Sequence, residues 1–143
     1  MTYSRALLLD THAAIWLAEG QLAEDVFAHV VAAGLTDGVF VSPVSAWEVG
    51  LLARPRPNGQ PAVMFKPDPQ TWFATLLSQP IIKETALTPK IAIDSSSLPG
   101  EFHSDPADRL LVATARNMNI PLLTRDQRIL GYASAGHVQA VPC

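Results

Sequence analysis

Five carboxylates stand where the chain changes from one kind of element to another, and the chemistry they could do together is that of a hard cation. Asp10 closes the apolar run 6–9, Glu48 lies in the first turn of a helical pattern, Asp105 and Asp108 flank a helix start, and Asp126 follows the run 120–123. Magnesium and manganese take oxygen ligands, and phosphodiester hydrolysis assisted by them needs several acids whose mutual repulsion the ion relieves. Scattered in sequence, such acids must meet in space. Asp10 is the hardest to place otherwise, because an acid ending a buried strand is poorly solvated unless something binds it.

Each of the others has a structural reading as well. Ser45-Ala46-Trp47-Glu48 fits a capping box, with Glu48 reaching back to the Ser45 backbone. Asp105, just before Pro106, is an obvious N-cap, and Asp108 in the first turn gains about 0.3–1 kcal/mol from the helix dipole. Asp126 suits a turn or a cap for a helix starting near Gln127.

The elements that would position these acids alternate. The run 6–9 reads as a strand buried on both faces, followed by a helix over 11–19 that Thr11 can cap. A second helix over 21–33 stops at Gly34. The run 39–41 is another strand, with a helix over 46–53 after it. Five prolines, a glycine and an asparagine between Arg54 and Pro69 dictate a loop. Helical periodicity returns over 70–78, Ile81-Ile82 makes a brief strand, and Thr88-Pro89 opens a short helix to Asp94. Pro106 starts a helix through Met118, a strand follows at 120–123, and a turn of helix leads to a last strand at 138–141. Strands alternating with helices imply a mostly parallel sheet between helical layers, whose ligands bind beyond the carboxyl ends of the strands.

The 143 residues suit a single domain, and 48% apolar against 16% charged residues excludes wholesale disorder. Ten Lys and Arg against thirteen Asp and Glu, net −3, exclude a broad cationic surface for long duplexes but not local binding of a short phosphate segment. Cys143 is the only cysteine, so intramolecular disulfides and cysteine zinc sites are excluded. No apolar run reaches the length of a membrane span, and the start MTYSRALLLD does not read as a signal peptide, which makes a cytoplasmic location the expectation.

Three ordered segments, LLLDTHAAIWL, VSPVSAWEVGLL and HSDPADRLLVATARNMNIPLLTRD, resemble the PIN-domain ribonucleases, most closely the VapC toxins of bacterial toxin–antitoxin pairs. The resemblance runs from about Leu7 to Asp126. It implies a three-layer α/β PIN fold and magnesium- or manganese-dependent hydrolysis of single-stranded RNA. Position by position, Asp10, Glu48, Asp108 and Asp126 are similar to the family's four catalytic, metal-binding acids, and Thr124 to the hydroxyl that supports them. Asp105 joins the metal ligands, positions Arg109, or only caps its helix. The same resemblance implies a homodimer and an antitoxin partner seated in an apolar groove, for which Trp16, Leu17, Trp47 and Leu51 are the candidates. Leu51 and Leu52 stand where relatives often carry a lysine.

Arg109, Arg125 and Arg128 are the cations placed to hold RNA phosphates, although Arg109 could instead pair with Asp108. Trp72 reads as core or interface, not as a base-stacking platform. The four histidines are dispersed, and His12, beside Asp10, points to the far side of its helix if that helix starts at Thr11. A receiver-type phosphoacceptor is disfavoured, since Lys66, Lys83 and Lys90 leave no lysine after a late strand; Asp10-Thr11-His12 lacks the second acid of a phosphatase motif. The serious alternative is a catalytically inactive PIN-fold module that only engages a partner protein.

Overall fold

The computed structural model describes residues 6–143. Five short strands, β1 (Leu7–Leu9), β2 (Val39–Val41), β3 (Ile82–Glu84), β4 (Leu122–Thr124) and β5 (Ala140–Pro142), form one sheet in the order β3-β2-β1-β4-β5. Every pairing is parallel. The helices are α1 (Thr11–Ala18), α2 (Glu24–Gly34), α3 (Pro43–Leu52), α4 (Pro69–Leu77), α5 (Pro89–Asp94), α6 (Pro106–Met118) and α7 (Gln127–Ser134).

Side chains of a strand point alternately to the two faces of its sheet, and β1 divides its leucines accordingly. Leu7 and Leu9 pack with residues of α1, α2 and α4, including Ile15, Val30, Trp72 and Phe73. Leu8 packs on the other side with α5, α6 and α7, including Ile91, Leu111, Val112 and Ile129. All three leucines are fully buried, as a central strand with a helical layer on each face requires. Trp72 is core, as expected, and its indole donates to Glu19 at 3.3 Å.

Helix starts depart from expectation in two places that matter for the site. Asp10, not Thr11, caps α1: its Oδ1 accepts from the Ala13 amide at 2.8 Å. Helix α3 begins at Pro43, capped by Ser42, so Glu48 lies in its second turn and the Ser45 capping box does not form. Proline at the first helical position forfeits only an amide that would be unpaired anyway, which favours the earlier start. Helix α2 starts at Glu24 and runs through Gly34, where an added Cβ would come within 2.5 Å of Ile81. The segment 54–68 carries no helix or strand, only an isolated bridge between Pro55 and Pro61.

The chain winds outward from β1 to β2 and β3, then returns to place β4 on the other side of β1. A parallel sheet opens a crevice at such a reversal, beyond the carboxyl ends of the two diverging strands. Asp10 follows β1 there and Asp126 follows β4.

Candidate active site

Asp10, Glu48, Asp108 and Asp126 line one pocket of about 340 Å3, together with Thr11, His12, Trp16, Leu111 and Arg125. The pocket lies at the sheet reversal, and each acid is brought there by a different element. Asp10 and Asp126 each end a strand and cap the helix that follows, Glu48 projects from α3, and Asp108 from the first turn of α6. For Asp10 and Asp126 the structural and functional readings therefore coexist: a carboxylate offers about four lone-pair sites, and capping uses only part of them.

Two threonines fix the acids. Thr124, fully buried, donates from Oγ1 to Asp10 Oδ2 at 2.5 Å and accepts from the Asp126 amide at 3.0 Å. With Ala13 on Oδ1, both oxygens of Asp10 are held. Thr11 donates to Glu48 Oε1 at 2.5 Å and lies 3.0 Å from Ser45 Oγ, so the partner of Glu48 is on another helix and not in a capping box.

The electrostatics are strained in one direction. Burial pushes the Asp10 carboxyl above its ordinary pKa, against the hydrogen bonds from Thr124 and Ala13. Glu48 is raised for the same reason, with the charges of Asp105 and Asp10 adding to it. Asp108 is pushed up to about 7, by burial first and then by Asp105, Asp126 and Glu48. Asp126 goes the other way: burial alone would raise it, but hydrogen bonds from the Arg128 side chain and from the backbone of Arg128 and Ile129 hold it low. Like charges around a concave pocket create a demand for positive charge, and Arg128 meets part of it. Its Nη2 reaches Asp126 Oδ2 at 3.1 Å and Asp108 Oδ2 at 3.4 Å.

All the donors are oxygens, which suits a hard divalent cation. Among the described residues no three His, Cys, Asp or Glu side chains close into a ready-made cage. Magnesium does not require one, since it keeps several waters and binds through one or two carboxylates plus substrate phosphates. The donor set therefore fits such an ion.

Asp105 caps α6, accepting from the Asp108 amide at 2.9 Å, and does not line the pocket, although its charge is felt by Glu48 and Asp108. Arg109 neither lines the pocket nor pairs with Asp108: its guanidinium donates to the carbonyls of Ser95 at 2.7 Å, Phe102 at 3.1 Å and His103 at 3.2 Å. Arg125 lies on the pocket wall, stacked over the Trp16 ring at 3.8 Å with its Nε on the Cys143 carbonyl.

Two histidines belong here that the sequence did not point to. His12 lines the pocket instead of turning away from it, although α1 does start at Thr11. His103 brings Nε2 to 3.2 Å from Asp108 Oδ2, out of line for a hydrogen bond, while its Nδ1 accepts from the Asp105 amide at 3.3 Å. The only hint in the sequence was its place in the His103-Ser104-Asp105-Pro106 turn.

The expected apolar groove is present but differently lined. A cleft of about 980 Å3 runs along α1, α2 and α4, with Ile15, Trp16, Leu17, Phe27, Met64 and Leu76 among its walls. Trp16 and Leu17 belong to it; Trp47 and Leu51 do not, and project from α3 with 48% and 44% exposure. The difference follows from packing: α3 straddles the sheet edge, giving Val44 to one core and Val49 to the other, and turns Trp47 and Leu51 outward. No helix among the described residues is long and apolar enough to cross a membrane.

The chain is similar to known proteins over most of its length. The sequence model of the PIN domain matches residues 7–134. Ribonuclease VapC22 of Mycobacterium tuberculosis (strain ATCC 25618 / H37Rv) is 30% identical over 124 residues, 86% of this chain and 88% of that protein. The fold is similar to that in the crystal structure of VapBC2 from Rickettsia felis bound to a DNA fragment from their promoter, with TM-score 0.67, 12% identity, and 96% of this chain and 98% of that chain covered. A toxin–antitoxin complex from Klebsiella pneumoniae is similar at TM-score 0.57 and 18% identity, over 94% of this chain and 95% of that chain. With the family model spanning nearly all of the sheet and both acid-bearing strand ends, this chain belongs to the PIN domain family.

Proposed function

We propose that this chain is a divalent-metal-dependent endoribonuclease acting as the toxin of a toxin–antitoxin pair. The observation that carries this reading is the convergence of Asp10, Glu48, Asp108 and Asp126 on one pocket at the sheet reversal, with Asp108 pushed up to about 7. The name of the 30%-identical relative, a ribonuclease, supports the same class of reaction.

Asp10, Glu48, Asp108 and Asp126 would hold magnesium or manganese, which when bound neutralises charge on the scissile phosphate and acidifies water. Thr124 and Ala13 fix the plane of the Asp10 carboxylate before anything binds, and Thr11 does the same for one oxygen of Glu48. Asp108, half-protonated near neutral pH, gives up its proton when positive charge enters. Arg128, with its side chain 59% exposed, pairs with Asp126 and Asp108 in contact with solvent, where such pairs are weak, so it can turn toward a phosphate. Arg125 lines the same pocket and offers a second phosphate contact. The chain needs no covalent intermediate.

The apolar cleft is the proposed seat of the antitoxin. Its Phe27 and Met64 are 50% and 60% exposed, and it meets the acidic pocket at His12 and Trp16, so a segment lying in it would end beside the carboxylates. A homodimer and a cytoplasmic location belong to the same proposal.

Purified protein with magnesium or manganese is expected to cleave single-stranded RNA, and Asp10→Ala and Asp108→Asn to abolish cleavage while the circular dichroism spectrum is retained. Intact RNA across many substrates, with partner binding preserved, would instead establish the inactive binding module.

A further inference from the structure

A second cleft adjoins the acids. Arg128 and His103, whose side chains reach Asp108, line this cleft of about 330 Å3, which shares no lining residue with the acidic pocket. The rest of that cleft is Glu101, Phe102, Gly131, Tyr132, Ala135 and His137. Its walls are largely rings: Phe102 packs against His103 at 4.3 Å and Tyr132 at 4.7 Å, and Tyr132 against His137 at 4.8 Å.

Contacts outside the cleft hold these rings still. Tyr132 donates its hydroxyl to the Pro99 carbonyl at 2.5 Å, Arg109 clamps the backbone of Phe102 and His103, and Arg116 donates to the His137 carbonyl. Gly131 lines the cleft, and a Cβ added there would meet nothing within 4 Å, so a larger side chain can be placed at this wall without a clash. The volume is at the small end of the roughly 300–1,000 Å3 of ligand sites, which suits one flat ring system and excludes a duplex.

Single-stranded RNA is read by splaying bases onto aromatic side chains beside the backbone contacts. Here the ring-walled cleft adjoins the cation that pairs with the catalytic acids, one side chain away from where a scissile phosphate would sit. We propose that this cleft receives the base of the nucleotide adjoining the scissile phosphate and sets base preference at the cut. The exposed carboxylate of Glu101 supplies acceptors for base amino groups at its rim. This inference rests on the ribonuclease reading above.

Gly131→Leu adds a side chain at the cleft wall from an exposed helix position, and Ser134→Ala, on the same helix but outside the cleft, is its control. In amide NMR titrations of the metal-free protein, at least one of AMP, CMP, GMP and UMP is expected to shift Gly131 and Tyr132 where ribose 5-phosphate does not, and Gly131→Leu to remove the shift. On a pool of short single-stranded RNAs, Gly131→Leu is expected to change the base flanking the cut or raise KM roughly tenfold with kcat within about twofold, while Ser134→Ala cuts as wild type. Should Gly131→Leu fail to fold, Ala135→Leu fills the same cleft from the end of α7. A folded cleft-filling variant that cuts the same positions with the same KM overturns the proposal, as does a titration in which no nucleotide shifts the cleft amides. If wild type cuts no RNA, the ribonuclease reading fails, and the titration still decides the cleft.

Discussion

The acidic pocket and the apolar cleft share the first turns of α1, yet they ask opposite things of a ligand. In the pocket the unmet need is charge: Asp10, Glu48 and Asp108 are all pushed toward their neutral forms, and each has a neighbouring acid to thank in part. In the cleft it is burial, since Phe27 and Met64 stand half-exposed beside Trp16 and Leu17. A rigid frame presents both. His12 and Trp16 form the seam between them, so one short helix couples a site that wants a cation to a surface that wants apolar contact. The contrast teaches that chemistry and control can be separated by substitution although they are adjacent in space.

The largest effect should come from the pocket. Asp108→Asn is expected to lower kcat/KM on RNA by about a thousandfold or more, roughly 4 kcal/mol, with the fold intact. Cleavage within tenfold of wild type would show that the pocket is not the catalytic centre.

Next comes the cleft. Phe27→Asp places a charge where an apolar partner would sit, and it touches none of the acids. Affinity for the antitoxin, measured by calorimetry, should fall at least about thirtyfold, the roughly 2 kcal/mol of an interface anchor, with RNA cleavage unchanged. Loss of both activities together would contradict the separation.

Metal linkage sharpens the comparison. Asp108 binds its proton more tightly in the folded than in the unfolded chain, so between about pH 4 and 7 the folded state holds more protons and stability falls as pH rises. Asp10 and Glu48 contribute in the same sense, while Asp126, held low, opposes them at acid pH. Magnesium should therefore stabilise the fold more at pH 7.5 than at pH 5, its stabilisation at a hundredfold excess over Kd being about 2.7 kcal/mol, and the difference is read as a larger rise in Tm at pH 7.5. An equal shift at both pH values would place the ion elsewhere.

Smaller still is Thr124→Val, which keeps shape but leaves Asp10 Oδ2 without its donor. A loss of about 1–3 kcal/mol in chemical denaturation is expected, together with an acid limb of the activity profile moved to higher pH.

Much of this arrangement was legible in the chain because local rules and global packing agree. The runs 6–9, 39–41 and 120–123 are apolar without interruption and mark the three central strands, the last of which extends one residue further to Thr124. Helix starts were harder where two capping residues lie close together. Asp10 and Thr11 compete at α1, Ser42 and Ser45 at α3, and tertiary contacts decide: Thr11 bonds both Ser45 and Glu48, which removes Thr11 and Ser45 from capping. His103 escaped notice because a loop has no periodicity from which its direction can be read. Its position depends on Arg109, whose three carbonyl contacts cannot be inferred from spacing. The groove was half legible for a similar reason: amphipathicity marks α1 and α3 as apolar, but only the layer order shows that α2 and α4, not α3, complete the cleft.

The central claim is that the four acids bind one or two divalent ions in common. An anomalous difference map from crystals soaked in manganese tests it most directly. The account predicts a peak within coordination distance of Asp10 and Asp108, lost in Asp10→Ala. A saturating soak with no peak in that pocket, from crystals of protein that still cleaves RNA, would contradict it.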